Sequence, residues 1–121
     1  MRKEVIMSFQ NDVPIVQKVY DFYKELYSII EKMPKKDKYT LGVKLQKTTL
    51  DLIELLIGAS YSDKENKTKY LAEANIKLDL LKLLVRLAQD IKALPTTKYL
   101  KLEEKLQEIG RMLGGWIKSV K

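Results

Sequence analysis

The fold is decided by an apolar stretch in the third quarter of the sequence, residues 80–88, which reads LLKLLVRLA. Apolar residues continue on both sides of it at three- and four-residue spacing, which is the period of an α-helix. On a helical wheel the apolar arc between Ala74 and Leu94 covers about 200°, whereas a surface helix needs an arc of about 100°. The stretch therefore predicts a helix with more apolar surface than one core requires.

The apolar arc of this third predicted helix divides into two flanks and a centre. The first flank contains Ala74, Leu81, Val85 and Ala88. The centre contains Leu80, Leu84 and Ile91, and the second flank contains Ile76, Leu83, Leu87 and Leu94. The helix either lies centrally in its own bundle or makes a second contact with another subunit. We favour the intersubunit contact, because each helix of a four-helix bundle still has an outward face.

Three further segments show the same helical period. The interruptions between the four segments are Met33–Lys36, Ser60–Asn66 and Ala93–Thr97. Pro95 is expected to stop the third helix, and Thr96 or Thr97 to cap the fourth. Because short connections join antiparallel neighbours, we predict an all-α protein, a single domain over residues 1–121 that folds as an antiparallel up-down-up-down four-helix bundle.

The composition excludes most catalytic chemistry. The 121 residues include neither cysteine nor histidine, so the sequence offers no thiolate catalysis, no imidazole base and none of the usual zinc sites. The carboxylates lack the Glu-x-x-His pattern of metal-binding bundles. The tyrosines of the first helix fit core and boundary positions better than a base-stacking platform; they are Tyr20, Tyr23 and Tyr27. We therefore expect a protein that is not an enzyme and that has no cofactor and no metal.

The sequence also shows no sign of a membrane segment. Its first residues, Met1–Met7, begin with charge but do not reach the roughly 7 to 15 apolar residues of a signal peptide. No segment approaches the roughly 20 apolar residues of a membrane span. A cytoplasmic protein that does not contact a membrane is the expectation.

A net charge of +7 favours a polyanionic partner such as nucleic acid. Lys82 and Arg86 lie four residues apart on the third helix, so both project from its narrow polar strip. That strip contains Asn75, Asp79, Lys82, Arg86, Gln89 and Asp90. To a phosphate, arginine offers a planar donor fork and lysine a point charge. The alternative is that Asp79 and Asp90 simply balance the two cations.

A second basic cluster surrounds the first interruption. Within residues 32–50, Asp37 alone opposes six lysines, which are Lys32, Lys35, Lys36, Lys38, Lys44 and Lys47. Each of them fits a solvated surface position, but together they would add a salt-sensitive attraction to a phosphate backbone. We place Lys35, Lys36 and Lys38 beside Lys82 and Arg86 as candidate nucleic-acid-binding residues.

The last segment contains an unusual run, IGRMLGGWIK over residues 109–118, with three of the five glycines beside the only tryptophan. Each glycine inside a helix costs roughly 1 kcal/mol relative to alanine. Gly110 and Gly114 share one border of the apolar stripe, where another backbone can approach closely. Trp116 lies on the other border and can anchor a subunit contact. We therefore predict Gly110, Gly114 and Trp116 as oligomer contacts, whereas Gly115 fits a helix end.

Three stretches of the chain resemble the accessory variability proteins of diversity-generating retroelements. They are MPKKDKYTLGVKL (33–45), LLKLLVRLA (80–88) and EIGRMLGGWIKSV (108–120). The same broader group of four-helix bundles includes proteins encoded by intervening sequences in bacterial 23S rRNA genes. The Gly-Arg-x-Leu-Gly-x-Trp pattern from Gly110 to Trp116 favours the retroelement branch. A structural or protein-interaction role of the intervening-sequence type is the alternative.

The resemblance implies a non-enzymatic accessory protein. Accessory variability proteins form basic pentamers, bind nucleic acid and associate with the retroelement's reverse transcriptase, which needs them to copy template RNA into adenine-mutagenised cDNA. The family's basic pair falls here on Lys82 and Arg86, with lysine at a position where arginine is familiar. The resemblance therefore implies a homopentamer that binds RNA and DNA electrostatically and supports mutagenic cDNA synthesis.

Overall fold

The computed structural model describes residues 14–121, which form four long helices and one single-turn helix. The long helices are α1 (Pro14–Glu31), α2 (Leu41–Tyr61), α3 (Lys64–Asp90) and α4 (Thr96–Ser119), and the single turn is Lys35–Lys38. No strand occurs among these residues. The chain is thus an all-helical bundle, as the apolar period predicts. The stretch considered for an export signal, Met1–Met7, lies outside the described residues.

One apolar core is shared by the four long helices. α1 packs against α2 and α4, and α3 packs against the same two helices. Each helix contributes side chains that are almost completely enclosed, among them Phe22, Leu52, Leu81 and Leu106. Burial of one such side chain stabilises the fold by about 1.5–3 kcal/mol. The packing of these faces therefore holds together helices whose outer surfaces are highly charged.

Only one of the two predicted flanks of α3 is buried in this core. Ala74, Leu81, Val85 and Ala88 of the first flank are fully enclosed, and the central Leu80 and Leu84 are half-buried. The second flank is exposed at Ile76, Leu83 and Leu87. The alternative that α3 is enclosed by its own bundle is therefore wrong, since residues 14–121 leave the second flank open.

α3 ends in a way that the proline did not predict. The helix stops at Asp90, five residues before Pro95, and Lys92 has a left-handed φ of 61°. The N–H of Lys92 donates to the carbonyl of Gln89, and the N–H of Ala93 to that of Ala88. These two hydrogen bonds form a Schellman motif, so Lys92 rather than Pro95 terminates the helix.

The start of α4 also differs from the prediction. Thr96 is the first helical residue, and the N-cap position belongs to Pro95, whose backbone is extended and which offers no capping side chain. The Pro95 carbonyl instead accepts the N–H groups of Lys98 and Tyr99. The expectation that Thr96 or Thr97 caps α4 is therefore wrong. Leu94, expected on α3, lies in the connection and is buried.

The other two connections are more helical than predicted. Met33–Lys36 was expected to interrupt the chain, yet Lys35–Lys38 forms a helical turn. α2 continues to Tyr61 and α3 begins at Lys64, so most of the polar cluster Ser60–Asn66 lies inside helices. The Asp63 carboxylate accepts the N–H of Asn66 at 2.9 Å, which is the hydrogen bond of an N-cap.

Specific side-chain contacts join each helix to its neighbours. Lys18 Nζ lies 3.5 Å from Glu108 Oε2, and Lys101 Nζ lies 3.0 Å from Glu25 Oε1; both pairs join α1 to α4. Between α2 and α3, Asp51 Oδ2 lies 3.3 Å from Lys77 Nζ. In the same groove the ring of Tyr70 occupies the space that a side chain at Gly58 would take.

Candidate nucleic-acid interface

The polar strip of α3 runs along the surface beside α4. Lys82 is half-buried, and its Nζ lies 3.1 Å from the position that a Cβ would take at Gly110 of α4. Arg86, one turn further along α3, is exposed. The missing side chain of Gly110 thus leaves the space in which the Lys82 ammonium group lies.

The two cations of this strip have no carboxylate partner at ion-pair distance among residues 14–121. The ion pairs there join Lys18 to Glu108, Lys47 and Lys77 to Asp51, and Lys101 to Glu25. Asp79 and Asp90 are exposed and belong to none of these pairs. Asp79 and Asp90 thus form no ion pair with either cation, and charge balance by these neighbours at longer range stays the alternative. α3 carries two positive charges, four residues apart, that form no ion pair within residues 14–121.

The single turn Lys35–Lys38 carries the second basic group. Lys35 and Lys36 are exposed, whereas Lys38 is half-buried, with its Nζ 5.9 Å from the centre of the Tyr39 ring. A cation at this distance over a tyrosine ring is attracted by the π system. The turn therefore presents two free lysines and a third that is held against its neighbour.

Lys47, a member of the predicted basic cluster, forms an ion pair with Asp51. Its Nζ lies 3.3 Å from Asp51 Oδ2, and Lys77 reaches the same carboxylate from α3. Burial raises the pKa of Asp51, but the hydrogen bonds from Lys47 and Lys77 outweigh burial and hold this pKa below its ordinary value. Asp51 stands one position beyond the segment in which the lysines were counted, which is why the sequence analysis missed the pairing.

An open cleft at one end of the bundle is lined by residues of the first and the last connections. Its walls come from Lys32 and Pro34 in the first connection and from residues 89–96 in the last. Gln89 belongs to the polar strip and follows Arg86 by less than one turn. Lys35 of the lysine turn directly follows Pro34, so each basic group is adjacent in sequence to a residue that lines the cleft or contains one.

Lys92 also lines this cleft, although the sequence analysis did not single it out. Its backbone adopts the left-handed conformation that ends α3. Lysine has no particular preference for that conformation, so the sequence contains no local signal for it. Lys32 and Lys92 therefore bring two positive charges to the cleft, and Asp90 brings one negative charge.

The three predicted oligomer contacts occupy different surroundings. A Cβ at Gly110 would touch Lys82 and Leu78 of α3, whereas one at Gly114 or Gly115 would meet nothing within 4 Å. Trp116 is half-buried and packs against the core. Gly110 thus makes room for a side chain of its own chain. A subunit contact at Gly110, Gly114 and Trp116 stays a prediction.

Residues 14–121 lack the features of two other kinds of site, a metal centre and a membrane span. No group of three or more histidine, cysteine, aspartate or glutamate side chains lies close enough together to hold a metal ion. In the same part of the chain, no helix combines the length and the apolar character needed to cross a membrane.

Comparison with known proteins identifies the family. The family model described as bAvd-like matches residues 13–120, a span that contains all four long helices and both basic groups. No curated protein matches the chain. The sequence left two branches open, and the matching family model belongs to the retroelement branch. The chain therefore belongs to the bAvd-like family, the accessory variability proteins of diversity-generating retroelements.

Proposed function

We propose that this chain is a non-enzymatic accessory protein that binds nucleic acid, associates with a retroelement reverse transcriptase and supports mutagenic cDNA synthesis. The observation that carries this proposal is the family match over residues 13–120. Lys82 and Arg86, which form no ion pair within residues 14–121, support the nucleic-acid part, because a phosphate backbone is the partner that such charges attract.

Binding is electrostatic and tolerant of sequence. Arg86 donates its planar fork to a phosphate, and Lys82 contributes a point charge one turn away. Lys35, Lys36 and Lys38 extend the positive surface beyond the cleft. Contacts to phosphate position a nucleic acid without reading its bases, so the protein holds template RNA or its cDNA for a polymerase that performs the chemistry.

The acting form is a cytoplasmic homo-oligomer, a pentamer if the chain follows the members it resembles. A ring repeats the strip of Lys82 and Arg86 on each subunit, so that weak phosphate contacts combine into avidity. The exposed second flank of α3 supports this proposal, because large uncovered apolar surfaces mark interaction sites.

We also infer that the helices follow the up-down-up-down order. Lys18 of α1 pairs with Glu108 of α4, and Glu25 pairs with Lys101. The residue numbers therefore rise along α1 and fall along α4, so the two helices run in opposite directions. The same inversion occurs between α2 and α3, where Asp51 meets Lys77 and Gly58 meets Tyr70. These crossed positions support antiparallel neighbours.

The nucleic-acid part is tested by replacing Lys82 and Arg86 together with glutamine. Affinity for single-stranded RNA is measured at several salt concentrations. We expect weaker binding and a salt slope that is smaller by about 1.4, because each lost phosphate contact removes about 0.7 for a single strand. The matched control replaces Lys64 and Lys69, which are exposed at the other end of α3. Equal losses in both variants would assign binding to overall charge and overturn the site.

The polymerase part is tested with the reverse transcriptase encoded beside this chain. We expect the two proteins to co-purify, and cDNA synthesis on the template RNA to require the chain. The glutamine variant of Lys82 and Arg86 should lower cDNA yield, whereas the Lys64 and Lys69 control should not. A polymerase that neither binds the chain nor needs it would leave the intervening-sequence role as the better explanation.

A further inference from the structure

α4 carries two exposed cations on its outer surface, Arg111 and Lys118, which together are the α4 strip. They are seven residues apart, so they lie two turns apart on one line of the helix, with about 10 Å between them along its axis. Arg111 follows the buried Ile109 by two residues, or about 200° around the helix. The α4 strip is therefore turned away from the core.

The α4 strip forms no ion pair in the part of the chain that the structure describes. Glu108 stands three residues before Arg111 and is its neighbour on the helix surface, but the Glu108 carboxylate lies 3.5 Å from Lys18 Nζ of α1. The acidic residue before that, Glu104, is about 10 Å from Arg111 along the axis. Residues 109–121 contain no acidic residue, so the side-chain charge of this last part of α4 is only positive.

The surface between the two cations of the α4 strip is open. Gly114 and Gly115 form the turn between Arg111 and Lys118, and a Cβ at either glycine would meet nothing within 4 Å. No side chain at these two positions separates the guanidinium group from the ammonium group. A chain of phosphates can therefore approach the helix and contact both cations.

The α4 strip is adjacent to the cations of α3. Lys82 Nζ lies 3.1 Å from the place that a Cβ would take at Gly110, and Arg111 is the next residue of α4. Because consecutive Cα atoms are about 3.8 Å apart, the Lys82 ammonium group lies within roughly 9 Å of the Arg111 Cα. Lys82 thus brings its positive charge to the part of α4 that carries Arg111.

The two strips together keep an excess of positive charge. The polar strip of α3 contains Asp79 and Asp90 beside its two cations, whereas the α4 strip adds two cations and no carboxylate. A polyanion therefore gains more from a position across both helices than from a position along α3 alone.

We propose that Arg111 and Lys118 bind phosphates of the same nucleic-acid strand as Lys82 and Arg86, so that the strand crosses from α3 to α4. Packed helix axes are about 8–10 Å apart, a distance that a short stretch of strand spans. Gly110 makes room for Lys82, and the arginine that follows this glycine adds the next phosphate contact. The proposal rests on the nucleic-acid part of the proposed function and assigns the α4 side of the binding surface.

The test replaces Arg111 and Lys118 together with glutamine. Affinity for a short single-stranded RNA is measured at several salt concentrations. Each lost contact to a single strand removes about 0.7 from the salt slope, so we expect the slope to fall by about 1.4. Both positions are exposed, and glutamine resembles arginine and lysine in helix propensity. Circular dichroism should therefore show an unchanged helix content.

Lys98 and Lys105 provide a matched control on the same helix. They lie toward α1, because the pKa of Glu25 is lowered chiefly by the hydrogen bond from Lys101 and further by the charges of Lys105 and Lys98. Replacing these two lysines with glutamine removes the same charge from α4 and should leave the salt slope unchanged. A slope that fell equally in the two double variants would show that net charge alone governs binding, and would overturn the α4 strip.

A charge-conserving variant separates a phosphate contact from a structural role. Arg111→Lys combined with Lys118→Arg keeps both charges, so we expect the salt slope of the wild type. If the slope fell in this variant as it does in the glutamine variant, the two side chains would act through the shape of the helix rather than through charge. That outcome would contradict the proposal.

The stoichiometry of binding tests whether one strand contacts both helices. We expect no more than one short RNA per subunit. A variant that lacks the cations of both strips should lose about 2.8 from the salt slope. Two RNA molecules bound per subunit would mean that α3 and α4 have separate sites, and would overturn the shared strand.

Comparison with the glutamine variant of Lys82 and Arg86 separates this proposal from the proposed function. A wild-type chain that does not bind RNA at low salt would contradict the proposed function itself. Weaker binding by the α3 variant, with wild-type binding by the α4 variant, would overturn the α4 strip alone. Weaker binding by the α4 variant only would overturn both the shared strand and the assignment to α3.

Discussion

The ammonium group of Lys82 on α3 lies 3.1 Å from the point where a Cβ would stand at Gly110 on α4. Since any side chain at residue 110 would compete for this space, Gly110 positions one of the two candidate phosphate-binding cations. We expect Gly110→Leu to displace Lys82 and to weaken RNA binding by roughly two- to tenfold. The measurement is RNA affinity at low salt, with the melting temperature recorded in parallel.

Gly115→Leu provides the matched control for this prediction. A Cβ at Gly115 meets nothing within 4 Å, so both variants gain up to about 1 kcal/mol of helix propensity and only one of them meets Lys82. In a Lys82→Ala background, Gly110→Leu should cause no further loss of affinity. The positioning role would be wrong if the loss persisted in that background.

The exposed lysines of the single turn should contribute to nucleic-acid binding independently of α3. Lys35 and Lys36 are both exposed, and they lie on a different helix from Lys82 and Arg86. We expect Lys35→Gln with Lys36→Gln to reduce the salt slope for duplex DNA by about 1.8, since each duplex contact contributes about 0.9. Affinity measured between low and moderate salt checks this value. An unchanged slope would mean that these lysines are only solvated.

Replacing Lys92 with glycine should stabilise the protein. Lys92 has a φ of 61°, a conformation that costs a residue with a Cβ roughly 1–2 kcal/mol and that glycine adopts freely. Part of this gain is lost, because glycine gives the unfolded chain more entropy. We expect a net gain of about 0.5–1 kcal/mol in the free energy of unfolding, measured by urea denaturation. A loss of stability would show that the Lys92 side chain makes contacts worth more than the backbone strain.

The positions of the helices were predictable from the sequence, because apolar residues at three- and four-residue spacing mark the faces that meet in the core. The ends of the helices were less predictable than their positions. Pro95 and Thr96 are typical stop and cap residues. α3 nevertheless ends at Asp90 through backbone hydrogen bonds, and a lysine at residue 92 does not predict them. Helix ends depend on such local geometry, whereas helix interiors depend on a repeated pattern.

The candidate site could be predicted residue by residue, but its arrangement could not. The spacing of Lys82 and Arg86 places them on one strip of any helix. Lys82 lies over Gly110, and the first and last connections meet at one cleft, because of how the helices pack, which the sequence does not state. The same holds for Asp51, whose two lysine partners come from different helices.

The ion pair between Glu25 and Lys101 should make stability depend on pH in the acid range. The hydrogen bond from Lys101 is the main cause that lowers the pKa of Glu25 below its ordinary value of 4.5; burial raises the pKa by less. A carboxylate whose pKa is lower in the folded state stabilises the fold above its unfolded pKa, and this contribution disappears as the pH falls through the folded pKa. We therefore expect Glu25→Gln to cost about 0.5 kcal/mol near pH 7, with the difference from wild type vanishing below the lowered pKa. Urea denaturation at a series of pH values measures this, and in a Lys101→Met background the pH-dependent difference should be absent. A difference that stayed constant down to about pH 2 would show that Glu25 acts through packing rather than through its charge.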